Sequence, residues 1–267
     1  MPQQSREVEA ALVVCSPRPL AVRERLAGLA SLPGFRLRGR PALSIRDTYL
    51  DTPDRALGAN GTALRVRAVD GAALLTYKAQ VRRTTAGTER VELEAPWSPA
   101  ALEAVLGRLA ADGVRLATPE PLERAGGADP LRSLLGLGLE VVQTRATERI
   151  PRDVVPEGGP ARPVAELAVD AVAYHLPGGV ARLHEVEVEA KGTGDLTTVG
   201  RVAAGLRERF GDELAPWPHG KLVTGQAVEV LLAAGRLDGL RDPDGTLHPA
   251  AYEVVAAHLR TTDRPDG

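Results

Sequence analysis

The chain reads His184-Glu185-Val186-Glu187-Val188-Glu189 in its second half and Arg6-Glu7-Val8-Glu9-Ala10 near its start. Successive side chains of a β-strand point to opposite faces, so each stretch predicts a strand with one acidic face and one apolar face. Such alternation is ordinarily typical of a strand whose polar face meets water. Like charges on one face repel each other, however. The three glutamates at 185, 187 and 189 therefore indicate that their face meets positively charged groups rather than water alone.

Basic strands with the same period lie between the two acidic ones. Arg65 and Arg67 alternate with apolar residues, and Lys78 lies on the next short run. Asp70-Gly71 separates these two runs and predicts a β-hairpin. The strand-like segments number about eight and are mostly joined by short turns, which predicts antiparallel pairing and, because eight strands can close on themselves, a barrel.

Amphipathic helices are expected to pack outside this barrel. Residues 20–31, 98–112 and 196–210 show helical spacing and need apolar surface to bury. The apolar strand faces would then point outward to the helices, and the charged faces would line the interior. The predicted fold class is therefore α+β, an eight-stranded antiparallel β-barrel with helices packed outside. Loops at 36–46 and 151–163 are expected to determine which substrate binds.

Composition limits the classes of function. Of 267 residues, 43% are hydrophobic, and 33 Lys+Arg against 35 Asp+Glu give a formal net charge of −2. That balance argues against a dedicated nucleic-acid binder. The single cysteine, Cys15, excludes an internal disulfide. The start does not resemble a signal peptide, and no apolar run reaches ~18 residues. We therefore expect a cytoplasmic protein that binds neither nucleic acid nor a membrane.

A charged interior needs a charged occupant. The strand period predicts the following inward-facing residues: Glu7, Glu9, Arg65, Arg67, Thr76, Lys78, Arg90, Glu92, Glu94, Arg145, Thr147, Arg149, Glu166, Ala168, Asp170, Glu185, Glu187 and Glu189. Unpaired buried ions each cost several kcal/mol. The charges are best explained if carboxylates hold a divalent cation and basic residues hold a polyanion. Oxygen ligands favour Mg²⁺ or Mn²⁺, and arginine forks match phosphate oxygens.

Several segments in this order resemble the CYTH domain superfamily, also called the triphosphate tunnel metalloenzymes, which includes class IV adenylate cyclases and thiamine triphosphatases. The segments are Glu7-Val8-Glu9, Asp47-Thr48-Tyr49-Leu50-Asp51-Thr52-Pro53-Asp54, Leu64-Arg65-Val66-Arg67, Thr76-Tyr77-Lys78, Arg90-Val91-Glu92-Leu93-Glu94 and His184-Glu185-Val186-Glu187. The resemblance covers roughly residues 5–223. We therefore expect a tunnel domain over 1–223 and a helical C-terminal extension over 224–267.

The resemblance also implies site residues. The implied catalytic residues are Glu7, Glu9 and Lys78. The implied phosphate-binding residues are Arg65, Arg67, Lys78, Arg145, Arg149 and Lys221. The implied metal ligands are Glu7, Glu9, Asp170, Glu185 and Glu187, with Glu92, Glu94 and Glu189 as further candidates.

The family's first strand usually reads Glu-x-Glu-x-Lys, whereas this chain has Ala11 at the lysine position. The implied function is a metal-dependent hydrolase of inorganic triphosphate, a nucleoside triphosphate or thiamine triphosphate. Because Ala11 deletes a cation, a non-catalytic polyphosphate- or nucleotide-binding module is the alternative, as is an adenylate cyclase of the same fold. The expected partner is a small-molecule triphosphate or polyphosphate, and the expected assembly is a monomer or homodimer.

Overall fold

A computed structural model describes residues 4–84, 86–116, 129–159 and 161–262. Its strands are β1 (Gln4–Val14), β2 (Ser31–Leu32), β3 (Phe35–Gly39), β4 (Leu43–Asp51), β5 (Ala63–Val69), β6 (Ala72–Arg83), β7 (Thr88–Pro96), β8 (Glu140–Pro156), β9 (Ala165–Leu176), β10 (Gly179–Ala190) and β11 (Leu214–Pro216). Its helices are α1 (Pro19–Ala27), α2 (Ala56–Ala59), α3 (Pro99–Ala111), α4 (Pro130–Gly136), α5 (Leu196–Phe210), α6 (Lys221–Ala233) and α7 (Pro249–Thr262).

Eight strands form a closed antiparallel β-barrel. Their order is β8-β4-β5-β6-β7-β1-β10-β9, and β9 pairs back with β8. Strands β2 and β3 continue the sheet beyond β8, and β11 pairs with β1. This architecture confirms the α+β barrel predicted from the strand patterns.

The hairpin between β5 and β6 sets the register of the basic strands. Asp70 and Gly71 both have positive φ, at 49° and 77°, as the two-residue turn of a twisted hairpin requires. The resulting register places Arg65 opposite Thr76. Residues directly opposite each other project to the same face, so this turn brings the polar side chains of the two strands together.

The described residues divide into two compact units. The first lies within Met1–Glu7, Ser44–Arg82 and Glu89–Arg145, and the second within Val8–Leu43, Arg83–Thr88 and Ala146–Gly267. Each unit has its own apolar core among the described residues.

The core of the first unit lies between strands β5–β7 and helix α3. Leu64, Leu75 and Tyr77 of the strands are buried in one cluster with apolar residues of α3. Ser98 is the N-cap of this helix, and its Oγ accepts a hydrogen bond from the Ala101 amide at 3.2 Å. Because Leu64 and Tyr77 alternate with the polar residues of their strands, the charged face points away from α3.

The first core of the second unit packs several strands against helices α1 and α5. Leu12, Leu167 and Val186 on β1, β9 and β10 are buried together with Leu26 of α1 and Leu206 of α5. These strand residues alternate with the acidic ones. The helices therefore cover the apolar strand faces, as the sequence predicted for the helices around 20–31 and 196–210.

A second core in this unit lies under α6 and α7. Val13, Val172 and Leu183 are buried against these helices, in a cluster that includes Val228 and Leu259. These three residues lie two positions from Ala11, Asp170 and Glu185, respectively. They therefore point to the same strand face as the charged residues. The face thus changes from charged to apolar along each strand, and the two helices cover its apolar part.

The predicted domain boundary at 223/224 falls inside α6, and the division into 1–223 and 224–267 stays a prediction. None of the described helices is long and apolar enough to cross a membrane.

Two local predictions were wrong. The first helix ends at Ala27, and Ser31–Leu32 belongs to β2. The loops predicted at 36–46 and 151–163 are partly strand, because β3, the start of β4 and the end of β8 occupy them. In β3 the buried Phe35 and Leu37 alternate with exposed arginines, which is the pattern of a strand with one covered face.

Candidate functional site

A buried carboxylate organises three arginines in the first unit. Arg67 donates from Nε to Asp47 Oδ1 at 2.8 Å and from Nη2 to Oδ2 at 3.1 Å. Arg145 Nη2 also donates to Asp47 Oδ2, and Arg65 Nη1 lies 3.7 Å from the same oxygen. Asp47 is only 1% exposed, so its charge is balanced by these guanidinium groups rather than by water.

Tyr49 supports the same cluster. Its hydroxyl oxygen accepts hydrogen bonds from Arg65 Nη1 at 3.2 Å and from Arg145 Nη2 at 2.9 Å. The β4–β5 register explains the arrangement, because it pairs Asp47 with Arg67 and Tyr49 with Arg65. Burial alone would raise the pKa of Tyr49, but the charges of Arg145 and Arg65 outweigh it and lower that pKa.

The electrostatics of this cluster keep Asp47 ionised. Burial alone would raise the pKa of its carboxyl group, but Arg65, Arg145 and Arg67 together hold that pKa well below its usual range. Glu94 joins the cluster, since its Oε2 accepts from Thr76 Oγ1 at 2.7 Å and from Arg65 Nη2 at 3.5 Å. Three guanidinium groups against two carboxylates leave one net positive charge.

A second charged group in this unit centres on Glu7. Lys78 Nζ donates to its two carboxylate oxygens at 2.7 and 2.8 Å and lies 3.1 Å from Glu92 Oε1. Arg90 Nε lies 3.4 Å from Glu7 Oε2. The predicted catalytic pair Glu7 and Lys78 is therefore in direct contact, and the four charges of this group balance.

In the second unit, three carboxylates meet. Oxygen atoms of Asp170, Glu185 and Glu187 all lie within 4.8 Å of one another. Strand pairing explains this, because Asp170 on β9 lies directly opposite Glu185 on β10, and Glu187 is two residues further along the same face. Asp170 and Glu185 are buried, with exposures of 0% and 2%. We refer to these three residues as the carboxylate triad.

Two cations of the same unit contact the triad. Lys221, the first residue of α6, places Nζ 3.2 Å from Asp170 Oδ2 and in direct contact with both glutamates. Arg149 donates from Nε and Nη2 to the Asp170 carboxylate at 2.9 and 2.7 Å, and from Nη2 to Glu187 at 2.6 Å. Both cations are largely buried with the carboxylates.

Burial shifts the titration of the triad in a definite direction. It raises the pKa of Glu185, an effect that Lys221 opposes and that Glu187 and Asp170 reinforce. For Lys221, burial alone would lower the pKa, but the three carboxylates outweigh it and raise that pKa. The Lys221 side chain therefore stays protonated in this environment.

The donor set of the triad suits a divalent cation. Three carboxylates supply the oxygen ligands that Mg²⁺ and Mn²⁺ prefer. The ammonium of Lys221 already lies among these oxygens as a cation. Two other predicted ligands, Glu9 and Glu189, are not members of the triad. They lie opposite each other in the β1–β10 register, and Glu189 accepts a hydrogen bond from Lys191 at 2.5 Å.

Sequence reasoning did not single out Asp47 and Tyr49. They lie in the segment 47–54 that resembles the CYTH domain, and they organise Arg65, Arg67 and Arg145. A signal was present, because the two residues alternate on a β-prone run, and one face of β4 therefore carries both. That face acquires its meaning only from the pairing with β5.

Comparisons with known proteins show the family and the fold. The family model described as the CYTH domain matches residues 32–206. HpAC1 from Hippeastrum, whose structure is described as revealing a dominant triphosphatase activity, is 17% identical with a TM-score of 0.50, over 84% of this chain and 96% of that one. The PH1819 protein from Pyrococcus horikoshii OT3 is 18% identical with a TM-score of 0.47, over 85% and 99% of the two chains.

No curated protein matches the chain. At 17% identity, the structure of HpAC1 shows likeness of fold alone. The family model, by contrast, spans well over half of the sequence and includes the strands that carry the arginine cluster and the triad. The chain therefore belongs to the CYTH domain family.

Proposed function

We propose that the protein is a metal-dependent phosphohydrolase that acts on a triphosphate-containing substrate, with Mg²⁺ or Mn²⁺ as its cofactor. The observation that carries this proposal is the presence of two opposite kinds of charged cluster in one chain: an arginine cluster with net positive charge and a triad of buried carboxylates. A site for a triphosphate uses both clusters, because the substrate is a polyanion that binds together with a divalent cation.

The arginine cluster suits phosphate oxygens. The Nε atom of Arg65 is buried and has no hydrogen-bond partner among the described residues, so one donor of its fork is unused. A charge-assisted hydrogen bond to such a donor contributes roughly 1.5–3 kcal/mol. The residues that we propose as phosphate ligands are Arg65, Arg67, Lys78, Arg145, Arg149 and Lys221.

The carboxylates suit the metal. We propose Asp170, Glu185 and Glu187 as the ligands of one ion. Glu7 and Glu9 stay proposed ligands of a divalent cation in their own right, and Glu92, Glu94 and Glu189 stay further candidates. When bound, a divalent cation would neutralise charge on the reacting phosphoryl group and make a bound water more acidic. Glu7 and Lys78, already hydrogen-bonded to each other, would orient the reacting groups.

A second candidate is a non-catalytic module that binds polyphosphate or a nucleotide. Ala11 favours it, because this residue lies directly opposite Glu187 in the β1–β10 register and brings no charge to that position. The cations beside Glu187 are instead Arg149 and Lys221. Binding of an anion does not depend on residue 11, whereas turnover in the family is associated with the lysine there.

A panel assay separates the two functions. Inorganic triphosphate, nucleoside triphosphates and thiamine triphosphate would each be incubated with the protein and Mg²⁺ or Mn²⁺, and free phosphate and cyclic AMP would be measured. Metal-dependent phosphate release from at least one substrate is the expected result. Thermal stabilisation by triphosphate without release would favour the binding module, and the absence of both would exclude both functions.

A further inference from the structure

Lys221 differs from the other charged residues because three carboxylates share its ammonium. Its Nζ contacts Asp170, Glu185 and Glu187, which are the three members of the carboxylate triad. The side chain is 8% exposed, so solvent contributes little to balancing its charge. The ammonium therefore lies at the position from which a single cation reaches all three residues.

The choice of residue is informative. The chain contains 33 basic residues, and only Lys78, Lys191 and Lys221 are lysines. An arginine guanidinium is a planar fork, whereas a lysine ammonium is a compact point charge on a flexible stem. A divalent metal ion is also a compact charge that takes oxygen ligands. Lys221 and such an ion would thus compete for the same carboxylate oxygens.

Charge counting also supports an exchange. The triad carries three negative charges, and Arg149 and Lys221 leave one of them unbalanced. If a divalent cation replaces the ammonium, the three carboxylates are balanced by the metal and Arg149. If the metal binds while Lys221 stays, the group has one positive charge too many in a buried place, which is costly.

The backbone of α6 permits this exchange without a change of fold. Tyr174 Oη donates a hydrogen bond to the Lys221 carbonyl oxygen at 2.9 Å and fixes the backbone there. The residue before Lys221 is Gly220, which offers no side-chain cap to the helix. The proposed exchange therefore involves rotations within the lysine side chain and leaves the backbone of α6 in place.

On the basis of the proposed function, we propose that Lys221 is an exchangeable internal cation. In the metal-free protein its ammonium holds Asp170, Glu185 and Glu187 together, and a divalent cation displaces it when it binds to the same carboxylates. Lys221 is then released to meet a phosphate of the substrate. Lys221 thus acts as a positioning residue of the triad before the metal binds, and the metal binds before Lys221 contacts phosphate.

Metal binding tests the exchange directly. Isothermal titration of Mn²⁺, without substrate, would be compared for the wild-type protein, Lys221→Met and Arg207→Met. The Arg207 variant is the control, because it removes one positive charge from the exposed surface of α5 in the same unit. We expect Lys221→Met to bind Mn²⁺ about tenfold tighter or more, and Arg207→Met to bind it like the wild type.

The alternative results are distinct. Unchanged affinity in Lys221→Met, or an equal gain in both variants, would overturn the exchange and leave the proposed function standing. If neither the wild type nor Lys221→Met bound Mn²⁺, the metal role of the triad would be wrong, and the exchange with it.

A measurement on the wild-type protein covers the case in which Lys221→Met does not fold. The three lysines can be labelled with an amine-reactive reagent and followed separately by peptide mass spectrometry. We expect Mn²⁺ to increase the labelling rate of Lys221 several-fold and to leave that of Lys191 unchanged. Unaltered labelling of Lys221 at a Mn²⁺ concentration that saturates the protein would contradict its displacement.

Discussion

Asp47 and Arg67 form a two-pronged ion pair, with Nε–Oδ1 and Nη2–Oδ2 distances of 2.8 and 3.1 Å, between directly paired positions of β4 and β5. Because Arg65 and Arg145 share the same carboxylate, Asp47 organises the cations that would otherwise repel one another. A phosphate group entering this cluster would meet guanidinium groups that are already oriented.

Replacing Asp47 with asparagine should destabilise the protein strongly. The substitution leaves three neighbouring guanidinium groups without their shared carboxylate, and loss of one partner in a buried ion pair typically costs about 3–5 kcal/mol. Urea unfolding would measure the change. Asp70→Asn is the control, because asparagine tolerates the positive φ of 49° at this hairpin turn, and a change below about 0.5 kcal/mol is expected there. Equal effects of the two substitutions would contradict the organising role of Asp47.

The contribution of Asp47 should depend on pH. Its folded-state pKa lies below that of an aspartate in the unfolded chain, about 3.9, because of Arg65, Arg145 and Arg67. The stabilisation is therefore fully present above about pH 4 and is lost as the pH falls below that value. The free energies of unfolding of the wild type and Asp47→Asn, measured from pH 6 downward, should converge in acid. A constant difference would show that ionisation of Asp47 is not the cause.

Arg65→Ala should weaken the binding of inorganic triphosphate by more than about tenfold, since a charged hydrogen bond contributes roughly 1.5–3 kcal/mol. Calorimetry or fluorescence competition would give the dissociation constant. Arg132→Ala, on the exposed surface of α4, removes the same charge from the same unit and should leave binding nearly unchanged. An unaltered dissociation constant for Arg65→Ala would exclude Arg65 as a phosphate ligand.

Glu187→Gln should abolish metal-dependent phosphate release while the protein stays folded. The substitution removes one carboxylate of the triad and so weakens Mn²⁺ binding, by about tenfold or more if Glu187 is a direct ligand. Circular dichroism would confirm the fold, and Glu208→Gln on the exposed side of α5 would serve as control. Full activity in Glu187→Gln would remove Glu187 from the proposed metal site.

The thiol of Cys15 should react slowly with alkylating reagents. Burial, and to a smaller extent the charge of Glu253, raise its pKa from 9.0 to about 11. Two pKa units lower the thiolate fraction at pH 8 by about a hundredfold, and the thiolate is the reactive form. Labelling kinetics should therefore accelerate on unfolding in urea and, in the folded protein, keep rising up to about pH 11. A plateau near pH 9 would show an unshifted thiol.

Strand patterns and one turn predicted much of the fold. The alternation around Glu187 and Arg65, and the turn at Asp70-Gly71, are local signals, because a period of two and a positive φ are properties of a short segment. They correctly predicted strands, antiparallel pairing and the barrel. The extra strand β3 was missed because residues 36–46 carry no motif and were expected to form a loop, although Phe35 and Leu37 alternate with Arg36 and Arg38.

Contacts between residues that are distant in the sequence could not be predicted in the same way. Lys221 carries no signal in its own segment, and its contact with Asp170 follows from the position of α6 relative to β9. Asp47 likewise has three arginine partners, of which Arg145 is 98 residues away. Such contacts depend on the tertiary fold and cannot be predicted from local patterns in a single sequence.

The change from charged to apolar residues along β1, β9 and β10 has a practical consequence. Val13, Val172 and Leu183 are shielded from solvent because α6 and α7 pack against them. A protein cut at residue 223 would lose most of that cover and would display a continuous apolar surface, which favours aggregation. The helical extension is therefore a structural part of the second unit, and mutations in it should alter the solubility of the protein before they alter its chemistry.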